Sequence, residues 1–311
     1  MLGFHSDMKA AAYHADGLAP EASLSSSVAK IILRDTPRHA WFASPRLNPD
    51  FEHDDDPKFS LGSVAHELLL SRGAGFVVVE ADDWRGKEAK AKRDEARAAG
   101  LKALLAKDYA RAMRLVEVAE DRLFAAGFKL DDMERELPYF WQDYKGIWCR
   151  AMADAIDRKT FTVIDFKTTS LGLTDENLAR TIDNLGYDLS AGHYIRGLTK
   201  LIPESAGRWR WLWVFSEVSP PHETRIVQAD ASTLEIGDRK AATAMVKWER
   251  CMTAGKWPGY PPTIGMAGLP DWSVNRWTNR EIEDPDCSAA PFLSQSRVIE
   301  RETKPIVWGA G

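Results

Sequence analysis

From Ser23 to Arg34 apolar residues recur at helical spacing behind a run of serines suited to capping, which predicts a helix. Thr36-Pro37 puts proline at a first helical position and opens a short helix through Phe42. Leu61–Leu70 sets Leu61, Val64, Ala65, Leu68 and Leu69 on one helical face. Phe76–Glu80 is a β-branched run and predicts a strand. Lys87–Ala126, rich in strong helix formers and broken at Gly100, predicts a two-helix insert. Three consecutive strands follow at Glu134–Asp143, Ile147–Ile156 and Phe161–Thr168, separated by turn signals at Lys145-Gly146 and Asp157–Lys159. Thr174–Leu185 and Asp188–Leu201 return to helical spacing. Trp209, Trp211, Trp213 and Phe215 alternate as one strand face, with Glu223–Ala229 as the expected partner strand. Thr233–Ala254 reads as a long amphipathic helix.

Strands interrupted by helices in this order predict an α/β (α+β) fold, a small central mixed sheet flanked by helices. The expected organisation is an N-terminal arm over 1–22, one domain over 23–256 with a helical insert at about 85–127, and an extended tail over 257–311, where Pro, Gly and isolated aromatics dominate. Ser44–Lys58, with three prolines and the cluster Asp54-Asp55-Asp56, reads as a loop.

Composition narrows the class. The 311 residues are 44% apolar, enough to build a core. The longest apolar runs, such as Phe76–Val79, fall far short of the roughly 18 residues of a membrane span. Met1–Ala12 lacks a basic start followed by an apolar block, so no secretory signal is expected. Cys149, Cys251 and Cys287 lie far apart without a C-x-x-C pair, against a disulfide framework or a structural zinc site. A cytoplasmic protein without a membrane partner is expected. The net charge of −5 argues against a nucleic-acid partner until it is resolved along the chain. Arg85–Arg114 holds ten basic and four acidic residues, whereas Leu130–Asp188 holds seven basic and twelve acidic. The average hides a basic segment and an acidic one, so it excludes little.

The candidate chemistry lies in the acidic segment. In a strand, residues i and i+2 share a face roughly 6.6–6.8 Å apart, so Asp165 and Lys167 point the same way. Hairpin pairing brings Asp154 beside them, and Glu136 sits one strand earlier. Alone, an Asp-x-Lys pair is ordinarily a solvated ion pair. Three carboxylates converging beside a lysine repel one another unless a cation joins them. A divalent ion such as Mg²⁺ takes oxygen ligands, activates water and stabilises charge on a phosphoryl oxygen, which suits phosphodiester hydrolysis. His66 is followed by Glu67, but position 70 is Leu, so no H-E-x-x-H site is encoded. The tryptophan stripe has two readings, sheet packing or a base-stacking platform. The basic helices have two as well, a solvated face or a surface that tracks a phosphate backbone.

These residues resemble the PD-(D/E)xK nuclease superfamily, in particular its RecE-type and λ-exonuclease-like branch of phages and prophages. The resemblance runs from Leu24 to about Leu198. It is carried by Leu24–Ser27 as the Leu-Ser-x-Ser start, Gly62 to His66 as Gly-x-x-x-His, and Glu136 with Phe140-Trp141 and Asp143. Cys149-Arg150 with Asp154, Asp165–Thr169 as Asp-x-Lys-Thr, and Gly186-Tyr187 with Tyr194 complete it. It departs at three places: Ala153 where the family often has Pro, Met152 where a basic residue is usual, and Ser190 at the Gln of Gln-x-x-x-Tyr.

The resemblance implies Asp154 and Asp165 as metal ligands with the Phe166 carbonyl, Glu136 and His66 near the metals, and Lys167 as catalytic lysine. It implies two Mg²⁺ or Mn²⁺ ions. Ser25, Ser27 and Arg34 are expected to hold a terminal phosphate, and Ser190 and Tyr194 to support the substrate. The expected activity is metal-dependent exonuclease digestion of double-stranded DNA ends, 5′ to 3′, in phage-type recombination or repair. The expected partners are a single-strand annealing protein and further copies of the chain in a trimeric or tetrameric ring. Two alternatives stay open: a RecB-like single-strand or flap nuclease, and a catalytically weak DNA-end-binding or assembly protein.

Overall fold

The computed structural model describes residues 1–51, 60–70 and 75–288. The expected loop at Ser44–Lys58 therefore lies partly outside the described residues, its acidic cluster included. Met1–Gly259 form one compact unit, and the chain from Tyr260 belongs to a second.

In the first unit the order is β1 (Gly3–Phe4), α1 (Ala10–His14), β2 (Leu24–Ser25), α2 (Ser26–Arg34), α3 (Pro37–Phe42) and α4 (Leu61–Leu70). Then come β3 (Phe76–Val79), α5 (Lys87–Ala98), β4 (Lys102–Leu105), α6 (Ala106–Ala125), β5 (Glu134–Gln142), β6 (Trp148–Asp157) and β7 (Thr162–Thr169). The unit ends with α7 (Asp175–Asn184), α8 (Tyr187–Leu201), β8 (Arg210–Glu217), β9 (Thr224–Gln228) and α9 (Ala231–Ala254). The second unit contains α10 (Asp271–Glu283), a helix that the turn-rich composition after Trp257 does not announce.

The main sheet runs β1-β5-β6-β7-β8-β9, with β2 paired to β6. It is mixed: β5-β6, β6-β7 and β8-β9 are antiparallel, whereas β7-β8 and β2-β6 are parallel. Helices cover both faces, the α/β architecture expected from the element order. The tryptophan stripe is core: Trp211, Trp213 and Phe215 pack into one hydrophobic cluster with Trp141, Trp248 and residues of α2, α8 and α9. Leu212 and Val214, on the alternate face of β8, enter a second cluster with α4 and α6. A strand buried on both faces cannot present a stacking platform. His193, read from sequence as structural, is buried against Trp141 and donates from Nε2 to the Arg150 carbonyl at 3.1 Å. Burial lowers its pKa to about 4.

Two features differ from the sequence reading. The insert carries a strand between its helices, because Lys102–Leu105 pairs in parallel with Phe76–Val79 as a separate two-stranded sheet. The N-terminal segment is also tied down. β1 pairs with β5, and the carboxylate of Asp16 accepts from the N–H and hydroxyl of Ser23. Asp16 also meets Arg150 of β6 at 2.9 Å, with side chains only 0% and 6% exposed. Arg150 further donates to the Ser23 carbonyl at 2.6 Å.

Removing one partner of a buried ion pair strands the other in a low-dielectric interior. Arg150→Met is therefore expected to lower unfolding free energy by about 3–5 kcal/mol, read as a shift of the urea midpoint. An unchanged midpoint would show that the N-terminal segment is not held through this pair.

Candidate metal centre

The site forms where the sheet forks. β6 pairs with β7 only through Ala155↔Ile164, Ile156↔Val163 and Asp157↔Thr162. One step further the register would set Asp154 opposite Asp165, but pairing stops there. β7 stays with β8 along its whole length, and β2 occupies the β6 edge at Cys149 and Arg150. Ala151–Asp154 thus face an opening between two diverging neighbours. Asp154 reaches into it, and its Oδ2 accepts the Phe166 N–H at 2.9 Å.

Glu136 approaches from the other neighbour of β6. The pairs Arg135↔Ala155 and Leu137↔Ala153 bracket Glu136 and Asp154, and Glu136 itself has φ +47°. A non-glycine residue in the left-handed region inside a strand is strained and persists because the surrounding structure holds it there.

His66 comes from α4. A Cβ on Gly62 would lie 2.1 Å from Thr168 Oγ1 of β7, so only glycine lets this helix lie so close to the strand. One turn later on the same face, His66 Nε2 stands 3.2 Å from Asp154 Oδ2 and Nδ1 3.9 Å from Glu136 Oε1. Donor atoms of His66, Glu136 and Asp154 lie within 4.8 Å of one another.

Lys167 closes the arrangement. Its Nζ donates to Asp165 Oδ1 at 2.5 Å and to the Phe166 carbonyl at 3.2 Å, and lies 4.0 Å from Asp154 Oδ2. Asp165 is buried, and its Oδ2 has no hydrogen-bond partner among the described residues. The electrostatics follow from these contacts. Burial pushes Asp154 up, but His66, Lys167 and the Phe166 N–H outweigh it and hold the carboxyl well below its usual range. Burial and then the Asp154 charge push Asp165 up against the pull of Lys167. For Lys167 burial works downward, and Asp165 and Asp154 raise it beyond the ordinary ammonium range. Burial also lowers His66, yet Asp154 and Glu136 raise it overall.

The donor set fits a divalent cation. Two carboxylates and an imidazole converge, and a buried carboxylate oxygen beside them lacks a partner among the described residues. Oxygen ligands suit Mg²⁺ and Mn²⁺, and an imidazole nitrogen is accepted more readily by later first-row ions than by Mg²⁺.

A protein family described as a PDDEXK-like domain of unknown function (DUF3799) matches residues 25–266. The chain belongs to this family. Among solved structures, the PDDEXK-like domain is similar to a candidate exonuclease from Eubacterium rectale. That match has 10% identity, a TM-score of 0.51, and covers 81% of this chain and 92% of that chain. At such identity it shows a shared fold alone. A phage-related exonuclease from Haemophilus somnus 129PT matches at 11% identity over 64% of this chain and 97% of that one, with a TM-score of 0.29, too low to carry an argument. No curated protein matches the sequence. Among the described residues no helix is long and apolar enough to cross a membrane.

The remaining candidates in the PDDEXK-like domain divide. A cleft of about 360 Å³ is lined by Ser25, Ser27, His66, Glu136, Asp154 and Tyr194 among others. Ser25 also caps α2, its Oγ accepting from Val28 N at 3.3 Å. Arg34 does not join this group. It stands at the far end of α2, bonds Asp35 through Nε and Nη2, and lines a neighbouring groove with Lys30 and Lys240, which Ser27 shares but Ser25 does not. Eight helical residues, about 13 Å of axis, separate it from Ser25. Ser190 turns back on its own helix, donating to the Gly186 carbonyl at 3.4 Å. The Phe166 carbonyl is engaged by Lys167. Met152, at the position where the family usually carries a basic residue, lines the cleft. Sequence reasoning missed the wall that Ser6–Ala11 and His14 add to the neighbouring cleft beside His66 and Glu136. The one available signal was Arg150, a basic residue between Cys149 and Ala151 in the first half of β6, which calls for a buried partner.

Two outcomes follow from this geometry. Gly62→Ala is expected to destabilise the protein by about 1–3 kcal/mol through overpacking, and Thr168→Ala in the same chain to restore most of that loss in urea unfolding. In EDTA, the His66 imidazole is expected to titrate above the ordinary range by NMR and to fall back in Asp154→Asn. Because its folded pKa is raised, its stabilisation is complete below about 6.5 and disappears as pH rises through the folded value. His66→Gln should therefore cost more stability at pH 6 than at pH 9.

Proposed function

We propose that the protein is a metal-dependent deoxyribonuclease that hydrolyses phosphodiester bonds at DNA ends. The observation that carries this reading is the convergence of His66, Glu136 and Asp154 beside the Asp165–Lys167 pair, in a chain of the PDDEXK-like family. His66, Glu136, Asp154 and Asp165 are the side chains that would hold the metal. Bound there, a divalent ion supplies an activated water and charge stabilisation at the phosphoryl oxygen.

The role of Lys167 follows from its protonation. An ammonium held above its ordinary range cannot take a proton from water at neutral pH. It acts instead as a fixed donor beside Asp165, orienting the nucleophile and stabilising charge as the P–O bond breaks. Tyr194, its phenol raised by burial and by the Asp165 and Asp154 charges, stays neutral and lines the cleft as a hydrogen-bonding wall. Digestion from 5′ ends of a duplex, assembly as a ring and transfer of the single strand to an annealing protein extend the proposal by resemblance.

Linear duplex labelled at either end is expected to be degraded with Mg²⁺ or Mn²⁺ and to survive in EDTA, with 5′ label released first. Mn²⁺ should serve at least as well as Mg²⁺, given the imidazole donor. Asp165→Ala and Lys167→Ala should each lose on the order of 10²–10³-fold in rate. Equal inertness of wild type and both variants, with end binding intact, would favour an end-binding protein. Earlier release of 3′ label would reverse the polarity.

A further inference from the structure

The basic insert has no part in the reaction above, yet its cations do not simply scatter into solvent. Between α4, α5, β4 and α6 lies a cleft of about 690 Å³ whose lining includes Trp84, Arg93, Arg97, Lys102, Asp108 and Arg111. Four cations thus face one carboxylate. Arg97 makes no ion pair among the described residues. The pairs of Arg93 with Asp94 at 3.0 Å and of Arg111 with Asp108 at 4.0 Å are exposed, with about half of each arginine open to water. Such pairs contribute little and yield readily to a phosphate. Trp84 is half-buried at the edge of the same cleft.

This cleft adjoins the one at the metal centre across helix α4. Lys102 lines both it and the neighbouring cleft of about 910 Å³ that holds His66, Glu67 and Glu136. Helix α4 separates the two, with Leu61 and Val64 toward the insert and Ser63, His66 and Glu67 toward the metal centre. Lys102 spans the divide through an ion pair with Glu67 at 2.8 Å.

We propose that one unpaired nucleic-acid strand lies in the insert cleft, its phosphates on Arg93, Arg97 and Arg111 and a base stacked on Trp84, and crosses Lys102 to the metal centre. Clustered guanidinium groups match a phosphate backbone. An indole face matches a base that is free to leave its stack, which a single strand offers and an intact duplex does not. The direction of the strand rests on the nuclease reading, whereas its binding can be measured without it.

The test is fluorescence anisotropy of labelled dT20 with the full chain in EDTA across a salt series, where no cleavage occurs. The Arg97→Glu/Arg111→Glu variant, altered only at exposed positions, should bind at least tenfold more weakly. Its salt slope should fall by about 0.7 for each phosphate that the variant no longer neutralises. Trp84→Ala should weaken dT20 binding by about 5- to 100-fold, with thermal midpoints confirming that each variant is folded. Unchanged affinity and slope in the arginine variant would overturn the proposal. So would a loss confined to a 20-bp duplex, which would make the cleft a duplex surface. Because binding is read without turnover, a wild type that never cleaves DNA would defeat the nuclease reading and leave this result standing.

Discussion

The parting of β6 from β7 after Ala155 and Ile164 is the constraint on which the rest depends. Two antiparallel strands in continuous register would bring Asp154 and Asp165 face to face, with both carboxylates against the next ladder. The fork instead leaves the Phe166 N–H free to donate to Asp154, and it leaves Asp165 pointing at Lys167. Strand β2 takes the β6 edge only at Leu24 and Ser25 and then turns directly into α2. The opening is therefore bounded by backbone on both sides and walled by a helix start. A cleft at that place is a product of strand pairing, before any side chain is considered.

What the helices add is proximity, and small residues decide it. α4 can lay His66 beside Asp154 because Gly62 allows contact with Thr168 one turn earlier. On the opposite layer, a Cβ on Gly237 would lie 2.0 Å from the Asp188 carbonyl and one on Gly192 would lie 2.3 Å from the Gly237 backbone. Helices α8 and α9 consequently cross backbone to backbone. Tyr194 is carried on α8, so this close crossing supports the cleft wall, while the Tyr139 hydroxyl donates to the Tyr194 carbonyl at 3.1 Å. The site is assembled from both helical layers meeting at the fork between β6 and β7.

Much of this was legible from sequence, and the limits have physical causes. Strands β5 to β9 and helices α2 to α9 announce themselves because each has one face to bury and a turn signal at its end. Asp165 and Lys167 are legible as a pair because strand period fixes their common face. Asp154 and Glu136 follow from hairpin order, and His66 from the family's Gly-x-x-x-His. By contrast, β4 hides between two good helix-forming runs and pairs with a strand more than twenty positions earlier, which local pattern cannot reveal. The N-terminal segment reads as weak structure because what holds it is distant in sequence: β1 pairs with β5, and Asp16 meets Arg150 across more than a hundred positions. Arg34 fails as a partner of Ser25 because period and length, not composition, decide which end of a helix a residue occupies. Ser190 spends its hydroxyl on its own helix.

The charge at the fork explains why its residues are mixed in kind. Glu136, Asp154 and Asp165 carry up to three negative charges, and Lys167 contributes one fixed positive charge. A second positive charge must come from elsewhere. Without metal, His66 supplies it by holding a proton above its ordinary range, and Asp165 moves toward holding one as burial pushes it up. A bound dication would replace those protons, since a ligating imidazole must be neutral. A fourth carboxylate in place of His66 would deepen the repulsion in the free protein, and a second lysine would oppose the metal. Histidine is the residue that can serve as cation in one state and as ligand in the other. Its presence beside two carboxylates is what makes the same buried cluster tolerable both before and after an ion arrives.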